Sequence, residues 1–107
     1  MQVKTLSLPK LNKLNPTLES TTLKLMEETG ELAQVIGKFR GLSGENIIMD
    51  DETVLNEIAK ELLDVAQTAI TMMFVMEEQY GVNIELALKE HCEKLERKGY
   101  LSLSSNS

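Results

Sequence analysis

Four carboxylates stand in two pairs along this chain. Glu28 and Glu31 lie in the stretch EETGELAQVIGK, and Glu61 and Asp64 lie in EIAKELLDVAQ. Each pair is separated by three residues, which on a helix puts both side chains on one face, one turn apart. Apolar residues flank them: Leu25, Leu32, Val35 and Ile36 beside the first pair, Ile58, Leu62, Leu63 and Val65 beside the second. Two helices packed through those residues bring all four acids to the edge of one core. Like charges so close repel, so the arrangement calls for positive charge among them. Donors that are all oxygen favour a hard cation, Mg²⁺ first, then Mn²⁺ or Ca²⁺.

Other readings of these residues are weaker. A single E-x-x-E is common on solvated helix faces, but two pairs beside core positions on successive helices are a stronger signal. Glu19, Glu52, Glu77 and Glu78 lack that context and read as surface or capping residues. A di-iron carboxylate bundle would need Glu-x-x-His on two of its helices, and His91, the only histidine, follows Glu90 directly. Zinc is disfavoured for want of His and Cys ligands. His91 and Cys92 are consecutive, so on a helix they diverge and form no nucleophile–base pair.

The acids need helices to position them, and the pattern supplies three. Pro16 follows Asn15, which reads as an N-cap with proline at the first helical position. Apolar residues then recur at three-to-four spacing from Leu18 to Phe39, predicting a helix over about residues 16–40. Gly30 and Gly37 fall inside it, either as tolerated packing residues or to admit a ligand or a second helix. The stretch GLSGENIIMDD, residues 41–51, reads as a loop opened by Gly41 and Gly44, with Ile47, Ile48 and Met49 packing down. Asp50 or Asp51 caps a second helix over about 52–79, ended by Gly81. Its segment 66–76 is apolar nearly all round, which predicts burial on more than one side, including by a second subunit. Asn83 caps a third helix over about 84–98, closed by Gly99. Residues 1–15 read as an irregular arm or a short helix beginning near Ser7, and 101–107 as a flexible tail.

Composition agrees. A chain of 107 residues with two prolines, four aromatic residues and abundant helix formers reads as one all-α domain, an antiparallel helical bundle. So small a core is often completed by oligomerisation. The net charge of −6 disfavours binding to a nucleic-acid polymer, although a nucleotide bridged by a metal ion is compatible with it. The one cysteine excludes an intramolecular disulfide and favours a cytoplasmic setting. The N-terminal run MQVKTLSLPK lacks the apolar core of a signal peptide, and the stretch 65–76 is too short to span a bilayer.

The two acidic motifs in order resemble those of the MazG-type all-α nucleoside triphosphate pyrophosphohydrolases, over roughly residues 18–100. That family carries E-x-x-E on one helix and E-x-x-D on the next, which Glu28/Glu31 and Glu61/Asp64 match. EKLERKGY, residues 93–100, is similar to the family's basic segment, with Lys94 and Arg97 at the positions that face the nucleotide; Cys92 stands where the family often has asparagine. The resemblance implies Mg²⁺ (or Mn²⁺) held by Glu28, Glu31, Glu61 and Asp64, and hydrolysis of a (d)NTP to the monophosphate and pyrophosphate. It further implies Glu28 or Glu31 as the group acting on water, Lys94 and Arg97 on the outer phosphates with Lys38 as a secondary candidate, and a homodimer or a tetramer of two dimers. Base and sugar preference stay open, between a dUTP- or dCTP-type house-cleaning activity and a broad one. A non-catalytic helical oligomer that binds a nucleotide or a protein partner is the alternative, as is an oligomer whose acids only decorate its surface.

Overall fold

The computed structural model describes residues 1–41 and 50–102. The expectations for Gly44, for Ile47, Ile48 and Met49 and for 103–107 lie outside the described residues. Three helices follow in order, α1 (Leu18–Phe39), α2 (Asp51–Tyr80) and α3 (Ile84–Arg97), and no strand occurs among the described residues. The all-α expectation holds.

Helix α1 starts two residues later than the sequence reading placed it. Its N-cap is Thr17, not Asn15. The Ser20 backbone N–H donates to Thr17 Oγ1 (3.0 Å) and the Thr17 N–H donates to Ser20 Oγ (2.8 Å). This reciprocal capping box satisfies two donors at once, where an Asn15 cap would supply a single acceptor. The other two starts match their capping residues. Thr53 N–H donates to Asp50 Oδ1 (2.8 Å) at the head of α2, and Leu86 N–H donates to Asn83 Oδ1 (2.9 Å) at the head of α3. Gly81 takes φ 67° to end α2, a left-handed turn that glycine enters without a Cβ penalty.

Helices α1 and α2 pack side by side and antiparallel: the turn holding Thr21 faces Thr68 and Thr71, and the turn holding Lys38 faces Glu57 and Lys60. Val35 and Val54 are buried together with Thr21, Thr68 and Thr71, and Val75 is buried where the arm residues Leu11, Leu14 and Pro16 gather. The threonines are satisfied locally; Thr68 Oγ1 donates to Asp64 O at 2.9 Å, and Thr21 Oγ1 to Thr17 O at 2.8 Å. Helix α3 touches α2 alone and buries no residue. Residues 1–16 form an irregular arm that crosses the helix pair. It is tied down where Gln67 Nε2 donates to Pro9 O (2.9 Å), where Gln79 Nε2 donates to Pro16 O (3.1 Å), and where Lys10 pairs with Glu78.

The result is flat and open, 47 × 45 × 21 Å, with a radius of gyration of 17.4 Å, against about 13 Å for a compact chain of this length. Leu55, Leu62 and Met73 share one stripe of α2 by helical spacing, and they stay 50%, 52% and 39% exposed. Within the apolar segment 66–76 only Met73 is exposed; Leu55 and Leu62 continue its stripe towards the start of α2.

Candidate metal centre

The antiparallel register places Glu61 of α2 opposite the turn of α1 that carries Glu28 and Glu31. One carboxylate oxygen from each of these three residues lies within 4.8 Å of the other two. Glu28 is only 6% exposed, because Leu25, Leu32 and Val35 turn the same side of α1 into the seam. Lys24, one turn earlier, pairs with Glu28 Oε1 at 3.0 Å and with Glu27 at 3.6 Å. Those carboxylates hold its ammonium above the ordinary lysine range, the hydrogen bond it donates to Glu28 most strongly.

One lysine does not neutralise the cluster. Glu28 Oε2 and Glu61 Oε2 are both buried, and neither has a hydrogen-bond partner. A buried carboxylate oxygen without a donor carries its full desolvation penalty. The crowding also registers on Glu31, whose carboxyl is pushed above its usual range by the charge of Glu28, then by desolvation, then by the charge of Glu61. Three convergent carboxylates, two of which carry a buried oxygen without a hydrogen-bond partner, suit a hard divalent cation such as Mg²⁺. The residues present thus fit the ion.

Asp64, the fourth acid, is exposed and stands outside that three-oxygen group. It lies one turn beyond Glu61 and lines, with Glu28 and Lys24, a cleft at the N-terminal side of the cluster. On the opposite side a shallow polar hollow is lined by Glu31, Gln34, Lys38, Glu57, Lys60 and Glu61. Lys38 is therefore brought beside the acids. Lys94 and Arg97 are not; they sit exposed in the last turn of α3, a helix without contact to α1.

Lys24 and Lys60 were not anticipated. Lys24 had a signal, since it precedes Glu28 by four residues on the same helix face. Lys60 had none, because its neighbourhood arises only when α1 and α2 meet. His91 is exposed and Cys92 half-buried on α3, away from the acids.

Residues 16–99 match the MazG nucleotide pyrophosphohydrolase domain. The chain belongs to this family. No curated protein and no solved structure gives a significant match. The MazG segment takes in both acidic pairs and the basic end of α3, and it begins where the irregular arm ends. MazG domains are nucleotide pyrophosphohydrolases as a family, so the carboxylate centre has a chemistry to serve.

Proposed function

We propose that this protein is a Mg²⁺-dependent nucleoside triphosphate pyrophosphohydrolase, cleaving a (d)NTP between its α and β phosphates to give the (d)NMP and pyrophosphate. The observation that carries this is the convergence of the Glu28, Glu31 and Glu61 carboxylates within 4.8 Å inside the family-matched segment, with Glu28 Oε2 and Glu61 Oε2 both buried and without a hydrogen-bond partner. Glu28, Glu31 and Glu61 hold the metal, Mg²⁺ or Mn²⁺, and Asp64 joins them by a side-chain rotation from its exposed position. When bound, the ion supplies charge neutralisation and polarisation at the phosphate oxygens. Glu28 and Glu31 are the candidates for orienting and deprotonating the attacking water. Glu31 is favoured, being half-buried where Glu28 is buried and already paired with Lys24. Lys38 receives the outer phosphates from the polar hollow.

Lys94 and Arg97 belong to the phosphate site only in an assembly, since α3 leaves them apart from the acids of their own chain. A homodimer, or a tetramer of two dimers, both covers the exposed stripe on α2 and gives those residues a site to complete. The single thiol and the nucleotide chemistry suit a cytoplasmic role.

Hydrolysis of a panel of NTPs and dNTPs with Mg²⁺, with and without added inorganic pyrophosphatase, tests the reading. Phosphate released only when the pyrophosphatase is present means α–β cleavage, and the panel ranks the bases. Phosphate released without it means cleavage elsewhere. Turnover of no nucleotide by folded, metal-loaded protein moves the assignment to a binding module.

A further inference from the structure

We infer that the cleft beneath the N-terminal arm receives the nucleoside half of the substrate, so that the arm sets base selectivity; this rests on the pyrophosphohydrolase reading above. The cleft measures about 410 Å³ and lies between the arm and the facing turns of α1 and α2, inside the range of small-molecule sites of about 300–1,000 Å³. Its walls combine apolar Leu11, Leu14 and Pro16 with the amide and hydroxyl groups of Asn15, Gln67 and Thr71. A nucleobase has that same make-up, two apolar faces and a polar edge. A triphosphate does not, and burying its charge against Leu11 and Leu14 would cost it hydration without return.

Direction follows from the two sides of the carboxylate cluster. The arm cleft ends on Lys24, Glu28 and Asp64, and the charge of Lys24 is already taken up by Glu28 Oε1 at 3.0 Å. The hollow beyond Glu31 and Glu61 holds Lys38 and Lys60, and apart from Val35 its lining residues are polar or charged. A substrate laid along the α1–α2 seam then has its base under the arm, its α-phosphate at the acids and its leaving pyrophosphate at the lysines. The roof of the cleft, Leu11, Leu14 and Asn15, precedes the family-matched residues 16–99, so selectivity is carried by a segment separate from the metal-binding helices.

Two variants test this in the full-length protein, Leu11→Glu in the roof and Gln67→Leu, which removes the hydrogen bond to Pro9. Neither lies among the metal ligands, and helicity by circular dichroism checks that both fold. We expect KM for the preferred nucleotide to rise about tenfold or more in Leu11→Glu and about threefold in Gln67→Leu, with kcat within about threefold. Inhibition by inorganic tripolyphosphate with Mg²⁺, which has no nucleoside, should keep its wild-type constant. An unchanged KM in both variants overturns the inference, as does a tripolyphosphate constant that rises in step with KM. If the wild-type protein cleaves no nucleotide, the catalytic reading fails by itself. Titration with a deoxynucleoside monophosphate, followed by backbone NMR, then decides the cleft: shifts at 9–16 and 67–71 sustain it, and their absence overturns it.

Discussion

At the scale of single residues, the site is organised by charge that the fold concentrates instead of dispersing. Glu31 shows the consequence. Its carboxyl is raised above its ordinary value of 4.5 by Glu28, by desolvation and by Glu61, so without metal the folded state binds this proton more tightly than the unfolded chain. Stability then falls as pH rises from the unfolded value through the raised folded one, and the penalty is fully present above both. Glu31→Gln removes it. Metal-free melting at neutral pH should therefore show a higher Tm for Glu31→Gln than for wild type, with the gain disappearing well below pH 4.5. The same variant should lose about 100-fold or more in kcat/KM, since it removes both a ligand and the favoured base. Full Mg²⁺-dependent turnover by Glu31→Gln would dismantle the site as described. Asp50 runs the opposite way. Backbone and side-chain hydrogen bonds from Thr53 hold its carboxyl below 3.8, so its contribution is complete above the unfolded value and is lost as pH falls through the folded one. In Asp50→Asn, which keeps an acceptor at the cap, the acid-limb loss of helicity on titration below pH 3.8 should be shallower than in wild type.

At the scale of elements, α1 and α2 act as one unit and α3 as an appendage. The turn between α2 and α3 depends on Gly81 at φ 67°. Gly81→Ala should cost about 1–2 kcal/mol in urea denaturation, the strain of a Cβ in the left-handed region. Gly30 and Gly37 sit in helical backbone with open space where a Cβ would project. Gly30→Ala should accordingly stabilise the metal-free protein by about 0.5–1 kcal/mol. A loss of stability, or lost nucleotide affinity at unchanged stability, would show instead that a second chain or the substrate approaches there.

At the scale of the whole molecule, the striped exposure of α2 and the unburied α3 describe a chain with too little interior for its apolar content. Val35, Val54 and Val75 are the only buried hydrophobic residues among those described. An assembly that covers Leu55, Leu62 and Met73 would bury the part of each, about half or less, that is still exposed, worth about 1 kcal/mol apiece. Met73→Glu should therefore shift sedimentation towards the monomer and lower Tm, without touching the carboxylate centre a few turns away. Unaltered sedimentation would mean that this stripe is not the interface.

What the sequence by itself determined was local. Helical periodicity, the acids of each pair one turn apart, the Asp50 and Asn83 caps and the Gly81 stop all follow from neighbours within a few residues, and all are present in the fold. The start of α1 went to Thr17 because Thr17 and Ser20 satisfy each other, a competition between two adjacent capping signals that spacing does not rank. Which carboxylates converge was decided by the tertiary structure. The register between α1 and α2 sets Glu61 against Glu28 and Glu31, turns Asp64 outward, and collects Lys38 and Lys60 from different helices. The arm's course over the seam is likewise fixed by Gln67, Gln79 and Glu78, about sixty residues further along the chain. Side chains that distant meet only through packing, and packing energy depends on the whole set of contacts at once, so no window of the sequence contains it.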